Sequence, residues 1–445
     1  MKGARMLEIV GVAVGVVLAA MAGRAGADTH YVSAGQSIQA ALDDPCTVDG
    51  DEIEVAPGTY YEAIDFNDKA VRLYSSGGAG VTTIDANGAY HAVQCVSGED
   101  ANTILEGFTI TGGNANGSGT DGYGGGMYNY LSSPTVTNCT FSGNLAQWGG
   151  GMYNDGSGST PTVSNCIFSG NEATTQDGGG MGNTYANPTV TNCVFTGNSA
   201  YDTGGAMANG YNSPTVTNCT FNQNVANGAN GGGGMRNWSS NPTVTNCILW
   251  GNTPDEISSG GTSDPNVTYS DIEGGYTGDG NINLEPLFVD ANGGDLRLVS
   301  SASPCVDSGN NDVVTEPNDL AGNDRIVDRD LDGTATVDMG AYELQSKDIH
   351  NISQDAYYET IQAALDDPCT VDGDEIEVGP GTYYESIDFG GKAITLRSSD
   401  PNDANIVAAT IIDGTGHYHV VKCVSGEDAN TILEGFTITG GNANG

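Results

Sequence analysis

Between Gly124 and Asn252 one pattern is written five times. Each copy opens with Gly-Gly and reaches a Met (Met127, Met152, Met181, Met207, Met235), and an Asn follows two residues later (Asn129, Asn154, Asn183, Asn209, Asn237). Then comes PTVTNC or PTVSNC, ending at Cys139, Cys166, Cys193, Cys219 and Cys247. Two residues on stands Phe141, Phe168, Phe195, Phe221 or Leu249, and three beyond that Asn144, Asn171, Asn198, Asn224 or Asn252. The Cys-to-Cys steps are 27, 27, 26 and 28 residues. A period of this size, carried by β-formers and turn residues, belongs to a stacked solenoid and not to a closed globule.

The phase of the apolar residues says which solenoid. Val136, Cys139 and Phe141 cannot all face inward on one flat strand, because side chains alternate with period two. They can if the chain bends between Val136 and Cys139. The residue before each Cys is Asn (Asn138, Asn165, Asn192, Asn218, Asn246), which tolerates the left-handed conformation a one-residue bend needs. Stacked copies would also align its amide into a ladder. The expectation is an all-β fold, a right-handed parallel β-helix, the hand following from the chirality of parallel crossovers.

Lys and Arg total 13 against 56 Asp and Glu, a net charge of −43. Such a surface repels nucleic acids and anionic membranes, and also acidic polysaccharides unless a divalent cation bridges them. The same charge also serves simply to keep an extended β protein soluble. Lys2 and Arg5, the apolar run Ile9 to Ala22, and Ala25-Gly26-Ala27 read as a secretory signal. The expected protein is exported, with no integral membrane segment after cleavage. Five of ten cysteines form the in-register column, and parallel side chains about 4.8 Å apart make poor disulfides. A buried column of free thiols is expected.

In chain order, residues 1–27 are the signal and 28–253 a parallel β-helix with an N-terminal cap helix at Ser37 to Asp44. Residues 254–345 form a C-terminal cap or anchor-type segment, and 346–445 start a second β-helix copy. Thr360 to Arg397 repeats the stretch beginning at Ser37 nearly residue for residue, and Val424 to Gly445 is identical to Val96 to Gly117. These matches indicate duplication, and the expectation is tandem copies, the second truncated, with the chain a fragment of a longer product.

On these residues the chain resembles known families. Phe-x-x-Asn alternating with Gly-Gly-x-Met resembles the repeat of chlamydial-type polymorphic outer membrane proteins, with Met in place of the usual Ile. Ser37 to Gly113 is similar to the first coils of secreted pectin-lyase-like proteins. Asp319-Leu320-Ala321-Gly322-Asn323, Asp324-Arg325 and Val337-Asp338-Met339-Gly340-Ala341-Tyr342-Glu343 resemble the end of a bacterial choice-of-anchor domain. The resemblances imply a β-helix at the cell surface, associated with the outer membrane, and specify activity poorly.

Pectin-lyase-like enzymes use clustered carboxylates with calcium, plus an Arg or Lys base. In the central coils Asp155, Glu172, Asp177, Asp202 and Arg236 fall at different offsets from the Cys column, so no cluster on one face is expected and no catalytic residue is assigned. Asp328-x-Asp330-x-Asp332-Gly333 has the ligand spacing of a calcium loop, with Asp338 one residue short of the twelfth position. It reads either as a calcium site or as a plain acidic turn. Tyr130, Tyr185, Tyr211 and Trp238 follow the Met-x-Asn segments and form either a strip for stacking sugar rings or a shield for the turn. His30, His91, His350, His417 and His419 are scattered along the chain, and the His417-x-His419 pair reads as strand surface. The expected role is adhesion or glycan binding, with a polysaccharide or a cell-surface glycan or protein as partner. The rivals are a polysaccharide lyase or glycoside hydrolase, and a structural spacer.

Overall fold

The structure, a computed structural model, describes residues 27–299, 303–328, 334–344, 349–354, 356–358, 360–379, 381–416 and 418–442. The signal-peptide expectation falls outside these apart from Ala27. The chain divides into two units, Met1–Leu344 and Gln345–Gly445. No helix among the described residues is long and apolar enough to cross a membrane.

The first unit is a right-handed parallel β-helix. One coil runs through Met127–Tyr130, Thr135–Thr137, Thr140–Ser142 and Leu145–Ala146, and each strand pairs in parallel with its counterpart in the next coil. The resulting sheets have eight, ten, nine and five strands. We call them the Met, Val, Phe and Ala sheets after their inward residues. Registers are one to one: Met127 opposes Met152, Val136 opposes Val163, and Phe141 opposes Phe168. The bend asparagines hold φ between 51° and 55° in all five coils, so Val136, Cys139 and Phe141 all turn inward and are buried. The phenylalanines stack with centroids 4.7–4.8 Å apart.

The Gly-Gly pair is dictated by space and conformation. The first glycine has positive φ (Gly124 59°, Gly149 64°, Gly178 76°). A Cβ on the second would lie 2.3 Å from Leu145 O at Gly125 and 2.3 Å from Ser199 O at Gly179, so no side chain fits there. The ten cysteines are free thiols, and the five of the column are buried.

Two amide ladders run up the interior. Asn129, Asn154, Asn183, Asn209 and Asn237 hydrogen-bond in sequence at 2.7–3.0 Å. Asn144, Asn171, Asn198, Asn224 and Asn252 bond in sequence at 2.7–3.1 Å, and from Asn171 onward each Oδ1 also accepts the preceding Asn backbone N–H. The second ladder ends on Glu256, whose carboxylate takes both donors of Asn252. The ladder expected at the bend is interrupted. Asn192 bonds Asn165, and Asn246 bonds Asn218.

At the N-terminal end the helix Ile38–Asp43 buries Ile38 and Leu42, capped by Ser37 Oγ accepting from Ala40 N at 3.0 Å. At the other end the ladders outlast the sequence repeat. Strands Ile257–Gly260, Asn266–Thr268 and Asp271–Ile272 add a coil beyond Pro254, with Ile257, Val267 and Ile272 in the Met, Val and Phe places and Ser270 bonding Cys247 N. The coil keeps the inward pattern while losing the motif letters.

The segment expected as an end cap lies mostly along the side of the stack. Leu298, Cys305, Val306 and Met339 enclose Ile248, and Leu296 and Ala341 enclose Val194. Ile167, Val194, Thr220 and Ile248 open the Phe-sheet strands and point outward. Three of these four are apolar where earlier coils carry Thr109 and Thr140, and burying them draws the segment onto this face. The interrupted bend ladder supplies its polar anchors. Asn192 donates to Asn318 O and accepts from Arg325 Nη2, while Asn246 and Asn310 exchange two bonds.

In the second unit, helix Ile361–Asp366 is capped by Thr360 and lies over strands Ile387–Asp388 and Ile349–Asn351. Parallel pairs Glu375–Val378 with Thr395–Ser398 and Gly381–Tyr384 with Thr410–Asp413 enclose a core of Ile361, Leu365, Ile376, Tyr383, Phe389 and Leu396. Its first strand, Ile349–Asn351, pairs antiparallel to Glu375–Val378.

Candidate functional site

On the Met sheet, Met and Asn point inward, so the residue between them points outward. Successive coils place Gln94, Tyr128, Tyr153, Gly182, Ala208, Arg236 and Ser258 in this column. Two coils with almost no side chain are thus flanked by tall ones. The result is a cleft of about 330 Å³ with Gly182 and Ala208 on its floor. Tyr123, Trp148 and Tyr153 form one wall, and Tyr211, Arg236 and Trp238 the other. The Tyr153 ring leans over Gly182, where a Cβ would meet it at 2.7 Å.

The aromatic wall is fixed by its own contacts. Tyr123 stacks on Tyr153 with centroids 4.8 Å apart, Trp148 meets Tyr153 edge-on at 6.5 Å, and Tyr153 Oη bonds Thr184 Oγ1 at 2.9 Å. Burial pushes the Tyr153 phenol well above its ordinary range. On the opposite wall Arg236 donates to Ser258 Oγ at 3.0 Å and lies over the Trp238 ring at 5.5 Å. Trp238 Nε1 donates to Tyr211 Oη at 3.3 Å, and Tyr211 stacks on Tyr185 at 5.3 Å.

Asp177 and Asp202 lie on neighbouring turns that reach over the same cleft. Thr203 N and Oγ1 both donate to Asp177 Oδ1 at 2.9 and 2.8 Å, and burial raises its pKa against these bonds. Offsets from the Cys column therefore misled. They keep Asp177, Asp202 and Arg236 apart, whereas the turns before Gly-Gly fold onto the Met sheet and gather all three. Asp155 stands beside the site on the Tyr130-to-Thr184 row, and Glu172 is exposed on the Ala sheet.

Of the four aromatics singled out from the sequence, Tyr185, Tyr211 and Trp238 form a half-exposed strip. Tyr130 does not join it, since Asp155 and Gly156 intervene. It lines a second cavity with Tyr128. The missed residues were Tyr123, Trp148, Tyr153, Gly182 and Ala208. The signal for three of them was the variable x in Met-x-Asn, which stands out among otherwise fixed columns.

Of the calcium candidates, Asp330 and Asp332 lie outside the described residues. Asp338 is fully buried, accepts from Asp307 N and Leu344 N at 2.8 and 2.6 Å, and burial pushes it up to about 7. Its oxygens thus serve the fold. Among the described residues no group of three or more His, Cys, Asp or Glu is placed to hold a metal. The anchor-like motif residues are also structural here. Asp319 accepts from Ala321, Asn323 and Glu343 backbone N–H groups, and Arg325 pairs with Glu343 with both side chains fully buried. His417 lies outside the described residues.

Residues 62–221 match the family model described as right handed beta helix region. Over 94 residues, 21% of this chain, the sequence is 33% identical to a "cell surface glycoprotein" of Methanothermus fervidus, of whose length the match spans only 14%. Among solved structures, the pectin methylesterase from Aspergillus niger is similar at 16% identity and a TM-score of 0.36, covering 60% of this chain and 89% of that one. Pectate lyase Pel9A is similar at 13% identity and a TM-score of 0.37, covering 73% and 98%. The ladder registers and the matched region agree that this all-β chain is built as a right-handed parallel β-helix.

Proposed function

We propose that this chain is an exported, surface-associated protein that binds a glycan in the cleft floored by Gly182 and Ala208. The carrying observation is a recess on a rigid sheet with aromatic faces at both ends and Asp177, Asp202, Asn230 and Arg236 around it. Sugar rings offer apolar C–H faces for stacking and hydroxyls for polar groups, which is the chemistry such a recess matches. Surface placement is supported by the signal-like start at Lys2 to Ala27, by the partial likeness to a cell surface glycoprotein, and by the resemblance to outer membrane protein repeats. Adhesion to a glycan-bearing surface follows from that placement.

A second reading, hydrolysis or lyase cleavage of the bound polysaccharide, is favoured by one observation: two carboxylates and a guanidinium share the cleft, and burial raises Asp177. The full chain is passed over immobilised neutral and acidic polysaccharides, with calcium and with a chelator. Retention that is lost in Tyr211→Ala and Trp238→Ala supports binding, and retention only with calcium assigns an ion to the acidic segments. Release of reducing ends or unsaturated products overturns binding without turnover. Absence of retention on every matrix leaves a structural spacer.

A further inference from the structure

A second cavity, of about 360 Å³, opens on the same outer face nearer the N-terminus, lined by Tyr90, His91, Gln94, Asp121, Tyr128 and Tyr130. Its centre breaks the repeat. The pairing of Val93 with Met127 puts His91 at the place of Gly125. The next coils carry Gly150, Gly179, Gly205 and Gly233 there, and a Cβ at each of these five glycines would approach another atom within 2.3–2.6 Å. Against the five glycine coils that follow it, the His91 coil carries a side chain at this place, and it is a histidine.

The imidazole is 94% buried, from a relative exposure of 6%. Its Nδ1 lies 3.1 Å from Gly124 O. A carbonyl only accepts, so Nδ1 carries the proton and Nε2 is left with a lone pair. Burial lowers the ring's pKa, which keeps it neutral. Tyr128 stacks on the imidazole at 5.3 Å, and Tyr130 stacks on Tyr128 at 6.4 Å. Tyr130 and Tyr90 are exposed at the rim. The His91 ring thus lies against the backbone of Gly124 and Tyr123, and brings an imidazole to a cavity that also holds Gln94, Asp121 and aromatic faces. A ring that bears hydroxyl donors and an apolar face suits it.

We infer that this cavity is a second saccharide site, in which His91 Nε2 accepts a hydrogen bond from a sugar hydroxyl while the sugar ring packs on Tyr130, held in place by the buried Tyr128. The inference rests on the glycan reading and adds to it a separate site with its own recognising atom. Tyr123, Tyr128 and Tyr153 stand between the two cavities, with centroids 4.8–6.3 Å apart.

The test follows two signals in the full chain during titration with xylohexaose, laminarihexaose and hexagalacturonate. These are the ¹⁵N resonance of His91 Nε2 and the indole N–H of Trp238, assigned through the variants His91→Phe and Trp238→Phe. For at least one probe the His91 signal is expected to move, and calorimetric titration is expected to show the site not reported by Trp238 about tenfold weaker in His91→Phe, the scale of one hydrogen bond. Tyr130→Ala, which removes an exposed side chain and leaves the buried chain intact, is expected to weaken the same site. Movement at Trp238 alone overturns the second site and leaves the glycan reading standing. Movement at neither signal overturns both. Unchanged affinity in His91→Phe and Tyr130→Ala overturns the role given to His91 and the aromatic platform.

Discussion

Replacing Asn198 by Ala removes the middle rung of the buried amide ladder. Its Nδ2 donates to Phe168 O at 2.8 Å and Asn224 Oδ1 at 2.9 Å, and its Oδ1 accepts Asn171 N at 3.0 Å and Asn171 Nδ2 at 2.9 Å. Asn224 Oδ1 keeps the Asn198 backbone N–H, and Asn171 Nδ2 keeps Phe141 O. The Asn171 backbone N–H loses its acceptor in a site of zero exposure. One orphaned buried donor costs about 1–3 kcal/mol and each of the three further bonds about 1 kcal/mol, so the expected loss is about 4–6 kcal/mol. Asn198→Asp keeps the shape but turns a carboxylate toward Phe168 O and Asn224 Oδ1, both acceptors. It is expected to be less stable than Asn198→Ala at neutral pH. It recovers as the pH falls, because protonation restores a donor. Urea unfolding gives the totals, and hydrogen exchange at the Asn171 amide gives the local effect. A loss below about 1 kcal/mol in Asn198→Ala, with Asn171 still protected, would refute the ladder as a source of stability.

Glu256, which ends that ladder, is pushed by burial up to about 8 from an ordinary 4.5. A raised carboxyl pKa means the folded state binds more protons, so stability falls as pH rises from about 4.5 to 8, by at most about 5 kcal/mol at about 1.4 kcal/mol per pH unit. Glu256→Gln should flatten that slope in pH-dependent unfolding. Arg325→Met removes the guanidinium from its fully buried pair with Glu343, at an expected cost of about 3–5 kcal/mol. Limited proteolysis should then cut the segment after Leu284 before the coils. Breaking the part-exposed pair of Arg72 with Glu106 should cost less than about 1 kcal/mol. Ala208→Trp fills the floor of the cleft from an outward position, and is expected to abolish polysaccharide retention with the unfolding midpoint unchanged.

What could be read from the sequence follows from what the repeat encodes. A column that must turn inward in every coil is written with the same letter each time, so Met127, Val136, Cys139 and Phe141 disclosed the stack, and Asn138 its bend. The cleft is written in the opposite way, as departure from a column: Tyr153, Gly182, Ala208 and Arg236 share a place and nothing else. Counting from the Cys column hid Asp177 and Asp202, because turn length changes between coils while the turns still fold onto one face. The side-packed segment was illegible for a different reason. Its contacts join Arg325 to Asn192 and Ala341 to Thr220, more than a hundred residues apart, and no local pattern records a pairing of that range.

The column of five free thiols gives the stack a clock. Each of Cys139, Cys166, Cys193, Cys219 and Cys247 is at most 1% exposed, and burial holds Cys139, Cys193 and Cys247 well above the ordinary thiol range. A thiol reagent can therefore mark a coil only while that coil is open. The order in which the five sulfurs become labelled reports where the solenoid frays first, and from which end.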